Sequence, residues 1–136
     1  MKNTIEDQAV IPGAGAFEVA CAHHLRSETK KTVMGRAKLG IEAFAEALLG
    51  FPKILAENSG HDAQECIIRM QEEHEKGAAV VGLDVATGEP LDPTLTGIYD
   101  NYIVKRQILQ SAPIITSQLL LVDEVIRAGM NMTRKS

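Results

Sequence analysis

The chain has no tryptophan, two tyrosines, three phenylalanines and two cysteines in 136 residues. A core short of aromatics must be aliphatic, and Ala, Ile, Leu and Val supply most of the 45% hydrophobic content. Cys21 and Cys66 lie far apart with no second pair to complete a metal quartet, and His23-His24 lacks zinc-type spacing to either. Both cysteines are therefore expected to be reduced thiols. No apolar run reaches the roughly 20 residues of a membrane span, and residues 1–8 contain no apolar signal region. A cytoplasmic protein that does not meet a membrane is expected. Adjacent cations occur only as the isolated pairs Lys30-Lys31, Lys105-Arg106 and Arg134-Lys135 in a chain of formal charge -4, which argues against nucleic acid as a partner. The length suits one domain able to bury roughly 70% of its unfolded surface.

The patterning that is present is mainly helical. Val10-Ile11-Pro12 is expected to be extended, because proline pushes the preceding residue out of the helical region. Gly13 to Gly15 then turn the chain into a helix ending near Arg26, with 27–32 as a charged linker. From Val33 to Leu49, Ile41, Phe44, Ala45 and Leu48 recur at helical spacing, and Gly50-Phe51-Pro52 is expected to break that helix before a short one ending near Asn58. Asp62 and Glu65 have capping-box spacing, Ala63, Ile67 and Met70 form a stripe, and Glu65, Arg69 and Glu73 are spaced for i,i+4 pairs. Alternation begins near Val80, and Thr87-Gly88-Glu89-Pro90 supplies turn chemistry for one small β-hairpin near 80–90. The last helix repeats Val104, Ile108, Ala112, Ile115, Leu119, Val122 and Ile126 straight through Pro113, and Arg127-Ala128-Gly129 is expected to end it.

Two places suggest chemistry. A glycine turn opening a helix lets a ligand approach backbone N–H groups at a positive helix end, and it is equally the simplest way to make a tight turn. Residues 13–18 do not make a dinucleotide fingerprint, because Glu18 stands where a third glycine belongs, and no Gly-Lys-Ser/Thr follows to make a phosphate loop. Asp100, just before the last helix, suits either an N-cap or an acceptor for ribose hydroxyls. Lys105 suits either a solvated surface or the steering of an anion.

Five ordered blocks resemble the carboxy-terminal part of a group II chaperonin subunit, in the zeta-like branch of the cytosolic chaperonin TRiC. They are Val10-Ile11-Pro12-Gly13-Ala14-Gly15-Ala16, Gly35-Arg36-Ala37-Lys38-Leu39-Gly40-Ile41-Glu42-Ala43-Phe44-Ala45, Val81-Gly82-Leu83-Asp84 with Thr87-Gly88, Asp100-Asn101-Tyr102 with Val104-Lys105, and Leu120-Leu121-Val122-Asp123-Glu124-Val125-Ile126-Arg127-Ala128-Gly129. The likeness covers essentially the whole chain.

The resemblance implies a mainly α fold, the carboxy-terminal half of an equatorial-domain helical bundle at 9–129. It is preceded at 1–8 by the end of an intermediate-domain helix and followed at 130–136 by a tail. It implies an ATP-dependent subunit that assists protein folding in a hetero-oligomeric double ring with other chaperonin subunits, gripping unfolded clients through an apical domain that these residues do not contain. Gly13, Ala14 and Gly15 would lie against ATP or ADP, Asp100 would hold the ribose, Lys105 would sit close to the nucleotide, and Asp84 would belong to the base-side wall. Ala14 replaces the family's usual middle glycine. The family's Gly-Asp-Gly-Thr loop, magnesium-binding aspartate and water-positioning aspartate have no counterpart in these residues. The chain by itself is thus expected not to hydrolyse ATP. The alternative is an interaction module that associates with chaperonin subunits without binding nucleotide, its helical stripes only partly covered by the chain itself.

Overall fold

The computed structural model describes Lys2 and residues 9–133, with side chains to residue 122. The chain divides into two compact units, one spanning Val10–Asp100 and one that contains the last helix from Asn101 onward.

The first unit opens with β1 (Val10–Pro12), extended as the proline requires. A left-handed turn follows, then α1 (Ala16–His24), a π-helical stretch (Leu25–Thr29) and α2 (Lys30–Thr32) without interruption. The expected linker at 27–32 is helical instead: the Lys30 N–H reaches back to the Leu25 carbonyl. Lys30, together with Arg26 just before residue 27, serves as a fastener rather than as solvated linker polarity. Arg26 Nε donates to Glu42 Oε1 at 2.9 Å and Nη2 to Glu46 Oε2 at 3.0 Å, while Lys30 Nζ donates to Glu42 Oε2 at 3.0 Å.

Helix α3 runs from Ala37 to Asn58, 22 residues, so the expected break at Gly50-Phe51-Pro52 does not occur. A proline inside a helix costs about 3 kcal/mol through its missing N–H and the clash of its ring with the preceding turn. Two gains offset that cost. Ala45, Leu48, Leu49, Pro52 and Ala56 form one continuous buried stripe across the proline, and Pro52 packs under the Gly15 turn.

In α4 (Ala63–Glu75), Asp62 Oδ1 accepts from the Glu65 N–H at 2.9 Å, as the spacing predicts. The box is not closed in return, because the Glu65 carboxylate pairs with Arg69. The second partner of Arg69 is Glu89 on the hairpin, not Glu73, which pairs with Lys76 at 2.9 Å. Ile67 and Met70 are buried as the stripe requires, joined by Cys66. The hairpin itself is β2 (Gly82–Leu83) antiparallel to β3 (Pro90–Leu91), with Gly82 opposite Leu91 and Leu83 opposite Pro90. A single turn, α5 (Pro93–Thr96), is capped by Asp92 and leads to β4 (Tyr99–Asn101), which pairs with β1. The core is aliphatic: Val19 and Ala22 of α1, Leu48 and Leu49 of α3, Met70 of α4 and Leu83 of the hairpin. Both cysteines are free, and burial pushes both thiols above the ordinary value.

The second unit contains α6 (Tyr102–Thr133), 32 residues that continue through Pro113 as the apolar stripe predicts. The helix also continues past Ala128-Gly129, where termination was expected. One glycine costs a helix about 1 kcal/mol, too little to stop one flanked by the good helix formers Arg127, Ala128 and Met130. Residues 1, 3–8 and 134–136, which include the expected helix end and part of the expected tail, lie outside the described residues. No helix among the described residues is long and apolar enough to cross a membrane.

The salt-bridge network has a defined acid response. The Lys30 hydrogen bond and then the Arg26 charge hold the Glu42 carboxyl below its ordinary 4.5; the Lys53 and then the Arg26 hydrogen bonds do the same for Glu46. Groups whose folded pKa is depressed contribute stability that is present above the unfolded value and lost as pH falls through the folded one. The urea midpoint of the native chain is therefore expected to drop more steeply below about pH 4.5 than that of Arg26→Gln; parallel acid limbs would refute the coupling.

Candidate functional site

The turn between β1 and α1 has two consecutive left-handed residues. Ala14 takes φ 55 and Gly15 φ 77, Ala14 being the only non-glycine residue with positive φ among the described residues. For an alanine this costs about 1–2 kcal/mol, so the alanine does not escape the conformation that glycine fills freely. The surroundings hold it there. The Ala14 carbonyl accepts from the Leu83 N–H at 2.9 Å, and a Cβ at Gly82 would meet Ala14 Cβ at 3.0 Å. The hairpin thus sits on Ala14, and the glycine at 82 is what lets it approach.

Gly13 and Gly15 are buried, and protein fills the space their side chains would take. A Cβ at Gly13 would meet Ile98 Cγ2 at 3.0 Å and the Tyr99 carbonyl carbon at 3.3 Å; one at Gly15 would meet Pro52 Cβ at 3.0 Å. The Gly13 N–H donates to the Ile98 carbonyl at 3.0 Å, and the Gly13 carbonyl accepts from the Ala16 N–H at 3.1 Å. Among the described residues, neither the Ala14 nor the Gly15 N–H donates a hydrogen bond. Backbone N–H groups withdrawn from water are almost always paired. A turn at a helix amino terminus with two such groups, one on buried Gly15 and one on half-buried Ala14, is suited to an acceptor from outside the chain.

Asp100 lies half-buried on β4, the strand that pairs with β1 and supports Gly13. The structure therefore gathers Gly13, Ala14, Gly15 and the strand carrying Asp100 in one unit. Lys105 belongs to the other unit, where it is half-buried on α6. Asp84 is committed to the hairpin: its Oδ1 accepts from the Ala86 N–H at 2.9 Å and its carbonyl from the Gly88 N–H at 2.7 Å. The backbone bond from Ala86 leads the interactions that hold its carboxyl below the ordinary value. Among the described residues no group of three His, Cys, Asp or Glu is placed to hold a metal.

Sequence reasoning missed three parts of this site: Pro52 as the floor under Gly15, β4 as the partner of β1, and the true cap of α6. Asn101 Oδ1 accepts from the Ile103 N–H at 3.0 Å, so the N-cap is Asn101 and not Asp100. The Asx spacing to Ile103 was the available signal. Replacing Asn101 by Ala is expected to cost about 1 kcal/mol of helix stability, read as a lower melting midpoint of the 222 nm ellipticity. A loss from Asp100→Ala as large as from Asn101→Ala would contradict the assignment. A second substitution tests the turn. Gly15→Ala must place a Cβ against Pro52 at positive φ, and a loss of about 2 kcal/mol or more is expected in urea unfolding; an unchanged midpoint would show that the turn relaxes freely.

The chain matches the TCP-1/cpn60 chaperonin family over residues 1–130. It is 50% identical over 131 residues to T-complex protein 1 subunit zeta-2 of Homo sapiens, covering 96% of this chain and 24% of that protein. With the Mus musculus zeta-2 subunit it shares 51% identity over 134 residues, covering 98% of this chain and 25% of the relative. Among solved structures it is similar to the open-state monomer of a group II chaperonin from Methanococcoides burtonii, with a TM-score of 0.79 and 36% identity, covering 87% of this chain and 29% of that one. The chain thus spans about a quarter of the length of the zeta-2 relatives. With a match that runs through the turn, the hairpin and β4 alike, the chain belongs to the TCP-1/cpn60 chaperonin family.

Proposed function

We propose that these residues form the ribose and adenine side of the ATP site of a cytosolic chaperonin subunit that assists protein folding in a double ring with other subunits. They correspond, in this reading, to the carboxy-terminal half of an equatorial domain at 9–129. The observation that carries it is the pair of N–H groups at Ala14 and Gly15, which donate to nothing among the described residues and lie in the turn braced by the strand of Asp100.

In this reading each residue has a bounded task. Gly13 and Gly15 keep the turn in shape, and the Ala14 and Gly15 N–H groups donate to the nucleotide. The Asp100 carboxylate, on the strand that supports Gly13, accepts from the ribose hydroxyls. Lys105, which the family likeness puts close to the nucleotide, belongs to the other unit. ATP would supply free energy on hydrolysis in a whole subunit; in this reading the magnesium ligands and the phosphate cradle are not among these residues. Nucleotide held through one side of a site binds weakly, because charge-assisted bonds to the phosphates are missing.

A second reading is favoured by a separate observation. Ile114, Ile115, Leu119, Leu120, Leu121 and Val122 of α6 are all more than half exposed. Such a surface suits an assembly module that joins other chaperonin subunits without nucleotide.

Calorimetric titration of the 136-residue chain with ADP separates the two. Weak binding that Asp100→Ala reduces about tenfold or more is expected, since a bond from a hydroxyl to a charged acceptor is worth about 1.5–3 kcal/mol. Heat that is absent, or indifferent to Asp100→Ala, would leave the assembly reading standing alone.

A further inference from the structure

The connection from α2 to α3 holds cations left over once the neighbouring ion pairs are made. Arg26 and Lys30 are engaged by Glu42 and Glu46. Lys31, Arg36 and Lys38 are exposed and, among the described residues, make no ion pair and no side-chain hydrogen bond. The chain as a whole carries -4, so this is a positive surface on an acidic protein. Interleaved with it are two of its most exposed large apolar side chains, Met34 at 89% and Leu39 at 73%.

The connection is also shaped before anything binds. Gly35 takes φ 73, the Lys38 N–H donates to the Gly35 carbonyl at 3.2 Å, and the Leu39 N–H donates to the Arg36 carbonyl at 3.1 Å. On its amino-terminal side Thr32 Oγ1 donates to the Thr29 carbonyl at 2.8 Å, and Lys30 ties α2 to Glu42 of α3. A partner would meet ordered backbone and would have less conformational freedom to remove.

We infer that this connection is a docking surface for an acidic protein segment that also carries an apolar side chain. The planar fork of Arg36 matches a carboxylate bidentately, Lys31 and Lys38 add point charges, and Met34 and Leu39 give the apolar group something to cover. Nucleic acid fits less well, because three cations on a chain of negative net charge neutralise few phosphates. A lipid surface fits less well too, because lasting membrane attachment needs more buried hydrocarbon than two side chains offer.

The test uses the whole 136-residue chain and a short fluorescein-labelled peptide of glutamates interrupted by leucines, followed by anisotropy. Binding is expected at low ionic strength, weakening as salt rises. Combined Lys31→Glu, Arg36→Glu and Lys38→Glu is expected to lower affinity about tenfold or more, and Met34→Ser with Leu39→Ser about threefold or more. All five side chains are exposed, so each variant is first matched to the parent by far-ultraviolet circular dichroism. The inference is overturned by absent binding, by binding that survives charge reversal, or by tighter binding to an RNA oligonucleotide or to phosphatidylserine vesicles than to the peptide. It does not depend on nucleotide binding at the 13–15 turn, which these substitutions leave untouched.

Discussion

The Val10–Asp100 unit depends on a single constraint, the left-handed turn at Ala14 and Gly15. Three elements distant in sequence meet at that turn: Pro52 of α3 beneath Gly15, Gly82 of the hairpin against Ala14, and Ile98 with the Tyr99 backbone against Gly13. Each approach is near 3.0 Å to a missing or minimal side chain. A larger residue at any of the three positions pushes out a different element. The turn is accordingly the joint through which α1, α3, the hairpin and β4 are placed relative to one another.

That joint explains two local costs that look unfavourable in isolation. Alanine at positive φ costs about 1–2 kcal/mol and an internal helical proline about 3 kcal/mol. Neither would persist in a free helix or loop. Both persist because they meet at one place: the Ala14 carbonyl takes the Leu83 N–H, and Pro52 fills the space that Gly15 leaves open. Burying a proline-sized apolar side chain returns about 2 kcal/mol, and the unbroken stripe from Ala45 to Ala56 keeps the helix on the core on both sides of the kink-prone residue. The strain is local and the compensation is tertiary.

The same distinction marks what the sequence made legible. Period and capping chemistry act over three or four residues, so the α4 cap at Asp62, the buried Ile67 and Met70, the hairpin, and the passage of α6 through Pro113 could all be read directly. The errors occur where a partner far along the chain overrides a local rule. Pro52 reads as a helix breaker until Gly15 packs against it. Residues 27–32 read as linker until Glu42 and Glu46 arrive from the next helix to engage Arg26 and Lys30. β4 has no strand pattern of its own and exists because β1 is beside it. Of the candidate site residues, the turn and Asp100 were singled out by pattern and by family likeness, while Asn101 as the cap of α6 needed its geometry.

The glycines also change meaning. A glycine-rich turn is usually read as making room for a ligand, yet the space left at Gly13 and Gly15 is taken by Ile98 and Pro52. Their lack of side chains serves packing. What the turn offers outward is its peptide polarity: two left-handed residues in succession hold the Ala14 and Gly15 N–H groups away from chain acceptors while the Ala14 carbonyl is fixed on Leu83. An alanine in the middle of the turn is compatible with that arrangement, because its N–H points as a glycine's would once φ is positive. The polarity the turn presents therefore rests on a backbone conformation imposed by the core, and side-chain size at position 14 matters only through the cost of reaching it.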